Sequence, residues 1–170
     1  MAYKSKYSLF AGVALVSVVL DQLTKVYFER NYALGQVKVL IDNHLYLTHL
    51  RNPGAAFGIL ADSTWRLPFF LTVALVAVVG ILWYLQKLPE SARWMHLSLA
   101  LIFGGAVGNV IDRIRLGEVI DFVGVHWYDY HWPAFNVADS AICVGVAILL
   151  VISLQEELEL RRRRKAEQQE

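Results

Sequence analysis

Two aspartates, Asp121 and Asp139, are the residues of this chain best suited to chemistry. They lie 18 residues apart, on either side of an aromatic segment and Pro133, and a loop of that length can bring its ends together. Two neighbouring carboxyl groups share a proton, so one can accept a proton from water while the other donates one. The alternative is two unrelated solvated acids, and Asp139 alone also fits a capping box behind Asn136.

Further polar residues have spacings that would place them near these acids. Asn109, Asp112 and Arg113 share one helix face, behind the G-x-x-x-G pattern of Gly104 and Gly108, which permits close helix packing. A helix end emerging into water is the plain alternative for Arg113.

Two more segments are polar or small. Asp21 and Lys25 are spaced i, i+4 and form either a local ion pair or part of the site. The segment Arg51-Asn52-Pro53-Gly54-Ala55-Ala56-Phe57-Gly58 is a turn whose small residues would let a substrate backbone approach.

Four apolar helices must position these residues. The chain is 56% hydrophobic and only 18% charged, which is typical of a membrane protein. Runs at about residues 9–28, 67–85, 95–111 and 137–154 approach the length that spans a bilayer. We predict one α-helical membrane domain over residues 1–160, followed by a basic cytoplasmic tail over 161–170. The first run is followed by a polar segment rather than a small-residue cleavage site, so it is interpreted as a retained helix.

The distribution of basic residues predicts the orientation. Nine lie on the side of the termini and six in the two long loops, so both termini are expected in the cytoplasm and the loops outside. Alternating apolar residues over 36–50, with a turn at Asp42-Asn43, predict a small β-hairpin, and 118–127 predicts a strand. The expected fold is therefore four transmembrane helices with a small extracytoplasmic β-hairpin or sheet and loop region.

Several other classes of function are disfavoured. The net charge of +1 gives no basic field for nucleic acid, and the arginines of residues 161–164 are interpreted as a flank beside a span. There is no H-E-x-x-H motif of a zinc protease and no G-x-S-x-G motif of a serine hydrolase. The single cysteine, Cys143, excludes an internal disulfide and is expected to pack in the fourth helix.

Taken in order, the polar motifs resemble one family. They are Asp21-Gln-x-x-Lys25, Asn52-x-Gly54-Ala-Ala-Phe57, Gly104-Gly-Ala-x-Gly-Asn109-x-x-Asp112-Arg113, Val119-Ile-Asp121-Phe122 and Phe135-Asn136-x-Ala138-Asp139-Ser140. Together they are similar to the bacterial lipoprotein signal peptidase, also called signal peptidase II. The likeness extends from about Asp21 to Ser140 and departs at none of the matched polar positions.

The resemblance implies an inner-membrane aspartic endopeptidase with its active site near the outer face. Its substrates would be diacylglyceryl-modified prolipoproteins, cut just before the lipidated cysteine, and its inhibitor the cyclic peptide globomycin. No metal or organic cofactor is expected. The resemblance assigns catalysis to Asp121 and Asp139. It assigns substrate binding or site support to Asn52, Gly54, Asn109, Arg113 and Asn136, and a structural role to Asp21, Lys25 and Asp112.

Two rival functions remain open on the residues alone. A small transporter or assembly factor would use Asp21–Lys25 and Asp112–Arg113 as intramembrane ion pairs. Such a transporter would place its charges near the midplane and show repeated halves, whereas these charges gather toward one side and no repeat is visible. The other rival is a metal-dependent membrane hydrolase that uses the aspartates and Asn109 as ligands.

Overall fold

Four long helices make up most of the fold in the computed structural model, which describes residues 6–54 and 62–168. They are α1 (Lys6–Asn31), α2 (Arg66–Lys87), α3 (Arg93–Leu116) and α4 (Val137–Glu167). Each is long and apolar enough to cross a membrane. The four predicted spans are therefore confirmed, with every helix extending beyond its predicted apolar run.

The central helix of the bundle is α3, which packs against the other three helices. Small residues make this possible. Gly104 faces α1 so closely that a Cβ there would lie 2.8 Å from the Cβ of Ser17. On the opposite side of α3, Gly145 of α4 faces the carbonyl oxygen of Ser98. A Cβ at Gly145 would lie 2.8 Å from that oxygen, so a larger residue would not fit there. The close helix contact predicted from the glycine pattern is confirmed.

A four-stranded antiparallel sheet covers one end of the bundle. The long loop after α1 forms β1 (Val37–Ile41) and β2 (Leu45–Asn52), and the loop after α3 forms β3 (Val119–Trp127) and β4 (Tyr130–His131). The strand order is β1-β2-β3-β4. The predicted hairpin and the predicted strand are confirmed, whereas β4 and the pairing of β2 with β3 were not predicted.

The pairing of β2 with β3 joins the two loops next to the candidate acid. Leu50 lies opposite Asp121 and Asn52 opposite Val119, after an irregularity in the register between Leu47 and Leu50. Between these pairs β2 contains one residue more than β3, so it forms a β-bulge that changes the register before the sheet reaches Asp121. Behind the sheet, the ring of Phe122 stacks on that of Phe28 of α1 with 4.4 Å between centroids.

The fourth helix begins with the capping box that the sequence indicated. Asn136 is its N-cap, and Asp139 is the third residue of its first turn. The helix then continues without a break to Glu167. The basic residues after 160 therefore extend α4, and the division of the chain at that point stays a prediction.

Candidate active site

Asp121 lies within β3 and is almost fully buried, with 3% of its surface exposed. Its two carboxylate oxygens accept hydrogen bonds from different asparagines: Oδ2 from Asn52 Nδ2 at 3.0 Å and Oδ1 from Asn136 Nδ2 at 2.7 Å. Burial, followed by the negative charge of Asp139, raises the pKa of Asp121 to about 7. This carboxyl group therefore retains its proton well above the pH at which an exposed aspartate would lose it.

Asp139 is held at the start of α4 by three hydrogen bonds. Its backbone N–H donates to Asn136 Oδ1 at 2.9 Å, and its Oδ2 accepts from the backbone N–H of Asn136 at 3.2 Å. Its Oδ1 accepts from Asn109 Nδ2 at 2.8 Å. The capping role and a place in the site thus coexist in one residue, because the cap leaves an oxygen free for α3.

Three asparagine side chains hold the two aspartates, and each has its carbonyl oxygen already occupied. Asn52 Oδ1 accepts from the backbone N–H of Gly54 at 3.0 Å, and Asn109 Oδ1 accepts from Lys25 Nζ at 2.9 Å. Asn136 Oδ1 accepts from the backbone N–H of Asp139. With their oxygens fixed in this way, the amide NH₂ groups all point toward the aspartates.

A buried charge cluster supports the site from behind. Lys25 Nζ lies 2.9 Å from Asp21 Oδ2 and 2.9 Å from Asp112 Oδ2, and none of these three side chains is exposed. Asp21 Oδ1 accepts from the backbone N–H of Ala138, and Asp112 Oδ2 from that of Ile120. The local ion pair expected from the spacing is therefore part of a larger cluster that contacts the backbone beside both candidate acids.

Both aspartates open into one cavity of about 550 Å³. Six of its lining residues were predicted to belong to the site: Asn52, Gly54, Asn109, Arg113, Asp121 and Asp139. The other lining residues are Val119, Trp132, Pro133, Ala134, Phe135, Ser140, Ile142 and Cys143. The aromatic segment before α4 that the sequence indicated contributes Trp132 to this lining. Cys143 corrects an expectation: it is exposed and lines the cavity rather than packing within the bundle.

Arg113 places a positive charge at the cavity instead of emerging into water. One of its terminal nitrogens donates to the carbonyl oxygen of Gly54 at 3.1 Å, and its guanidinium lies 4.5 Å from the ring centroid of Phe70 in α2. It therefore joins the end of α3 to both the turn after β2 and α2. The predicted residues 55–58 of that turn lie outside the described residues.

Metal binding has no evident set of ligands here. Over residues 6–54 and 62–168, no group of three or more histidine, cysteine, aspartate or glutamate side chains could hold a metal ion. The cavity polar groups are instead two carboxyls, amides and a guanidinium. Such groups are suited to proton transfer and to hydrogen bonding a peptide backbone.

The family model described as signal peptidase (SPase) II matches residues 13–155. The chain belongs to the signal peptidase II family. The matched region contains α2, α3 and the sheet completely, and α1 and α4 apart from the start of α1 and the end of α4. It also contains every residue of the site and its supporting cluster.

Individual relatives in the signal peptidase II family match along nearly their whole length. A lipoprotein signal peptidase of Geobacter sulfurreducens is 54% identical over 96% of this chain and 99% of the relative. A lipoprotein signal peptidase of Halalkalibacterium halodurans is 46% identical over 91% of this chain and 97% of the relative. A solved bacterial membrane enzyme superposes with a TM-score of 0.80 at 31% identity, over 87% of this chain and 88% of that one. The four-helix fold with its sheet is therefore shared.

Proposed function

We propose that this protein is an intramembrane aspartic endopeptidase that removes signal peptides from diacylglyceryl-modified prolipoproteins, cutting just before the lipidated cysteine. The observation that carries the proposal is the convergence of Asp121 and Asp139 on one cavity, linked by hydrogen bonds to Asn136. The names of the relatives, lipoprotein signal peptidases, support the substrate class.

The proposed reaction needs one charged and one protonated carboxyl group. The carboxylate takes a proton from water as the water oxygen attacks the scissile carbonyl carbon, and the other carboxyl gives its proton to the carbonyl oxygen. A tetrahedral gem-diol forms. The carbon–nitrogen bond then breaks: the first carboxyl returns its new proton to the leaving nitrogen, and a gem-diol hydroxyl reprotonates the second. Water is consumed, and both carboxyl groups regain their starting states.

The electrostatics of Asp121 support a pair in which one carboxyl group is charged and the other is protonated. Its pKa of about 7, raised by burial and by the charge of Asp139, keeps a proton in the pair near neutral pH. Protons in such a pair belong to both groups together, so a single proton shared between the two aspartates is the state ready to react. A fully ionised pair would lack the acid that the carbonyl oxygen requires.

The rest of the cavity provides groups for binding an extended peptide. Its lining includes donors from Arg113 and the amides of Asn52 and Asn109, and the aromatic rings of Trp132 and Phe135. Donors of this kind bind substrate carbonyl groups, and apolar walls suit the residues of a signal peptide. We propose that globomycin occupies the same cavity.

We also propose an orientation for the protein in the bilayer. The sheet and the cavity lie at the end of the bundle where α1 and α3 finish, and the basic residues concentrate at the opposite end. The positive-inside rule then places the termini in the cytoplasm and the active site near the outer face of the inner membrane. A lipid-anchored cleavage site would reach the aspartates there with its acyl chains still in hydrocarbon.

Single aspartate substitutions test the proposal directly. Asp121→Asn and Asp139→Asn each keep the shape of the side chain but remove proton transfer, so cleavage of a lipidated precursor peptide by the purified variants should fall by about 10²–10⁴-fold. Asp42→Asn is the matched control, because Asp42 lies in the exposed turn after β1 and its loss should leave the rate unchanged.

Two outcomes would contradict the proposal. Normal cleavage by either dyad variant, with folding verified by thermal unfolding, would remove the paired-aspartate mechanism. Loss of wild-type activity in excess chelator would favour the metal-dependent rival instead. Full activity under chelation is the expected result.

A further inference from the structure

Asn109 of α3 lies between a buried ammonium and one of the two proposed catalytic acids. Its Oδ1 accepts from Lys25 Nζ at 2.9 Å, and its Nδ2 donates to Asp139 Oδ1 at 2.8 Å. The side chain of Lys25 is completely buried and does not line the cavity. Lys25 is therefore linked to Asp139 by hydrogen bonds through the amide of Asn109.

The charge on Lys25 decides which way the amide faces. An ammonium group is a donor only, so it can bond the oxygen of Asn109 but not its NH₂ group. A flipped amide would put two donors against each other in a dry interior and leave the carbonyl oxygen facing a carboxylate. Lys25 is itself fixed on its other side by Asp21 and Asp112. The amide thus has one stable orientation, with its NH₂ group toward Asp139.

A fixed NH₂ donor distinguishes Asp139 from Asp121. Asp139 also lies in the first turn of α4, where it accepts from the backbone N–H of Asn136 and faces the positive end of the helix dipole. Asp121 lies in a strand, without a helix end, and among residues 6–54 and 62–168 its carboxylate accepts from two side-chain amides. Negative charge is consequently better stabilised on Asp139.

We propose that Lys25 is a positioning residue that locks the amide of Asn109, so that Asp139 holds the negative charge of the pair and Asp121 holds the proton. This inference rests on the proposed dyad function. It makes Asp139 the group that takes the proton of the attacking water and Asp121 the group that protonates the carbonyl oxygen. The raised pKa of Asp121, about 7, agrees with that assignment.

Other charges near the pair must be separated from this effect. Arg113 lines the cavity on α3, and the cluster of Asp21, Lys25 and Asp112 lies behind it. With Asp21 and Asp112 ionised and Lys25 protonated, that cluster has a net charge of −1. Its complete neutralisation would therefore make the dyad easier to ionise if only long-range charge mattered.

The test uses a variant without these charges, Asp21→Asn/Lys25→Met/Asp112→Asn. The asparagine oxygens can still accept the backbone bonds from Ala138 and Ile120, so the variant leaves no buried charge unpaired. The oxygen of Asn109 then loses the bond from Lys25 and keeps the longer one from Asn136 Nδ2, at 3.3 Å, so the amide is held less firmly. For this reason kcat on a lipidated precursor peptide should fall about 10- to 100-fold, the worth of a hydrogen bond to a charged group. KM should stay within about twofold, since the substituted residues do not line the cavity.

The pH profile separates positioning from simple electrostatics. The acid-side limb is the part of the plot of kcat against pH in which kcat rises with pH. When the donor to Asp139 is no longer held in place, this limb should move to higher pH by about one unit. Removing the net −1 charge alone would move it to lower pH, and a purely structural role would not move it once folding is verified by thermal unfolding. A shift downward or no shift would overturn the inference.

A second variant keeps the test decisive if the triple substitution does not fold. Asn109→Ala leaves Lys25 paired with Asp21 and Asp112. It should also move the acid-side limb to higher pH. Where the triple variant does fold, combining it with Asn109→Ala should lower kcat no further than Asn109→Ala does alone, because Lys25 acts through Asn109. Additive losses, or an unmoved limb in Asn109→Ala, would refute the proposal.

The controls distinguish this inference from the proposed function. Arg115→Met removes a cation that pairs with Glu29 outside the cluster, and its pH profile should match that of the wild type. Asp121→Asn and Asp139→Asn are assayed in parallel. If either cleaves normally, the proposed function fails; if both are inactive and the limb does not move in the Asn109 variant, only the role of Lys25 fails.

Discussion

Replacing Gly105 by alanine adds a single methyl group at the contact between α3 and α4. The added Cβ would clash with the carbonyl oxygen of Ala138 and lie 2.7 Å from Cγ1 of Ile142. The first of these neighbours is backbone, so the contact cannot be relieved by rotating a side chain. The two helices must therefore move apart by several tenths of an ångström.

The expected cost of Gly105→Ala is the difference between two effects. Overpacking of this kind costs about 1–3 kcal/mol, while alanine gains about 0.5–1 kcal/mol over glycine in a helix. The net loss of stability should be roughly 0.5–2 kcal/mol. Because Asn109 lies one turn further along α3 and donates to Asp139 on α4, the same displacement should lower kcat by about tenfold.

A second glycine provides the matched control. Gly80 lies in α2, where an added Cβ would meet no atom within 4 Å, so Gly80→Ala should gain about 0.5–1 kcal/mol and keep its activity. Both variants would be compared with the wild type by thermal unfolding in one detergent and by cleavage of a lipidated precursor peptide. If Gly105→Ala is as stable and as active as Gly80→Ala, the α3–α4 contact does not set the site geometry.

Three further predictions concern the acid, the cation and the core. Activity should fall as the pH rises through about 7, because the proposed mechanism needs a protonated Asp121 and its pKa is raised to about 7; a pH–rate profile flat from 6 to 8 would contradict this. Arg113→Lys should lower kcat/KM about 10- to 100-fold, since lysine cannot both keep the planar contact with Phe70 and donate as before; an unchanged kcat/KM would exclude that role. Phe122→Ala should lose about 3–5 kcal/mol of stability by removing a buried stacked ring, whereas the exposed Trp127→Ala should lose little in the same thermal unfolding experiment.

The spans and strands could be predicted because they follow from local patterns. Apolar runs of bilayer length gave the four helices, and period-two alternation gave the hairpin and β3. The capping box of Asn136 and Asp139 was likewise visible, because its two residues are three apart in the sequence. Each of these features depends on residues that are close together along the chain.

The features that the sequence left open depend on tertiary contacts. The hydrogen bond from Asn52 to Asp121 joins residues 69 positions apart, and the antiparallel pairing of β2 with β3 brings them together. The extension of the Asp21–Lys25 pair to Asp112 also requires α1 and α3 to lie side by side. Spacing predicted the polar pair, but not which third residue would complete it.

The cavity wall was the least predictable part of the site. Trp132 belonged to the aromatic segment noted in the sequence, Phe135 appeared only within a family motif, and Cys143 was expected to pack, yet all three line the cavity. Which face of α4 remains open depends on how α3 and the aromatic segment pack around it. No local pattern encodes that arrangement, although the i, i+4 spacing of Asp139 and Cys143 places both on one helix face.

The order in which the chain is synthesised gives the sheet a biological consequence. Its strands come from two loops that emerge at different times, and Ala138, near the start of the last helix, donates to Asp21 in the first helix, 117 residues earlier. A nascent chain that has not yet inserted α4 lacks both Asp139 and Asn136, and so has neither half of the linkage to Asp121. By the proposed mechanism, a chain truncated before α4 would therefore lack proteolytic activity, and the activity would arise only when the last helix has joined the bundle.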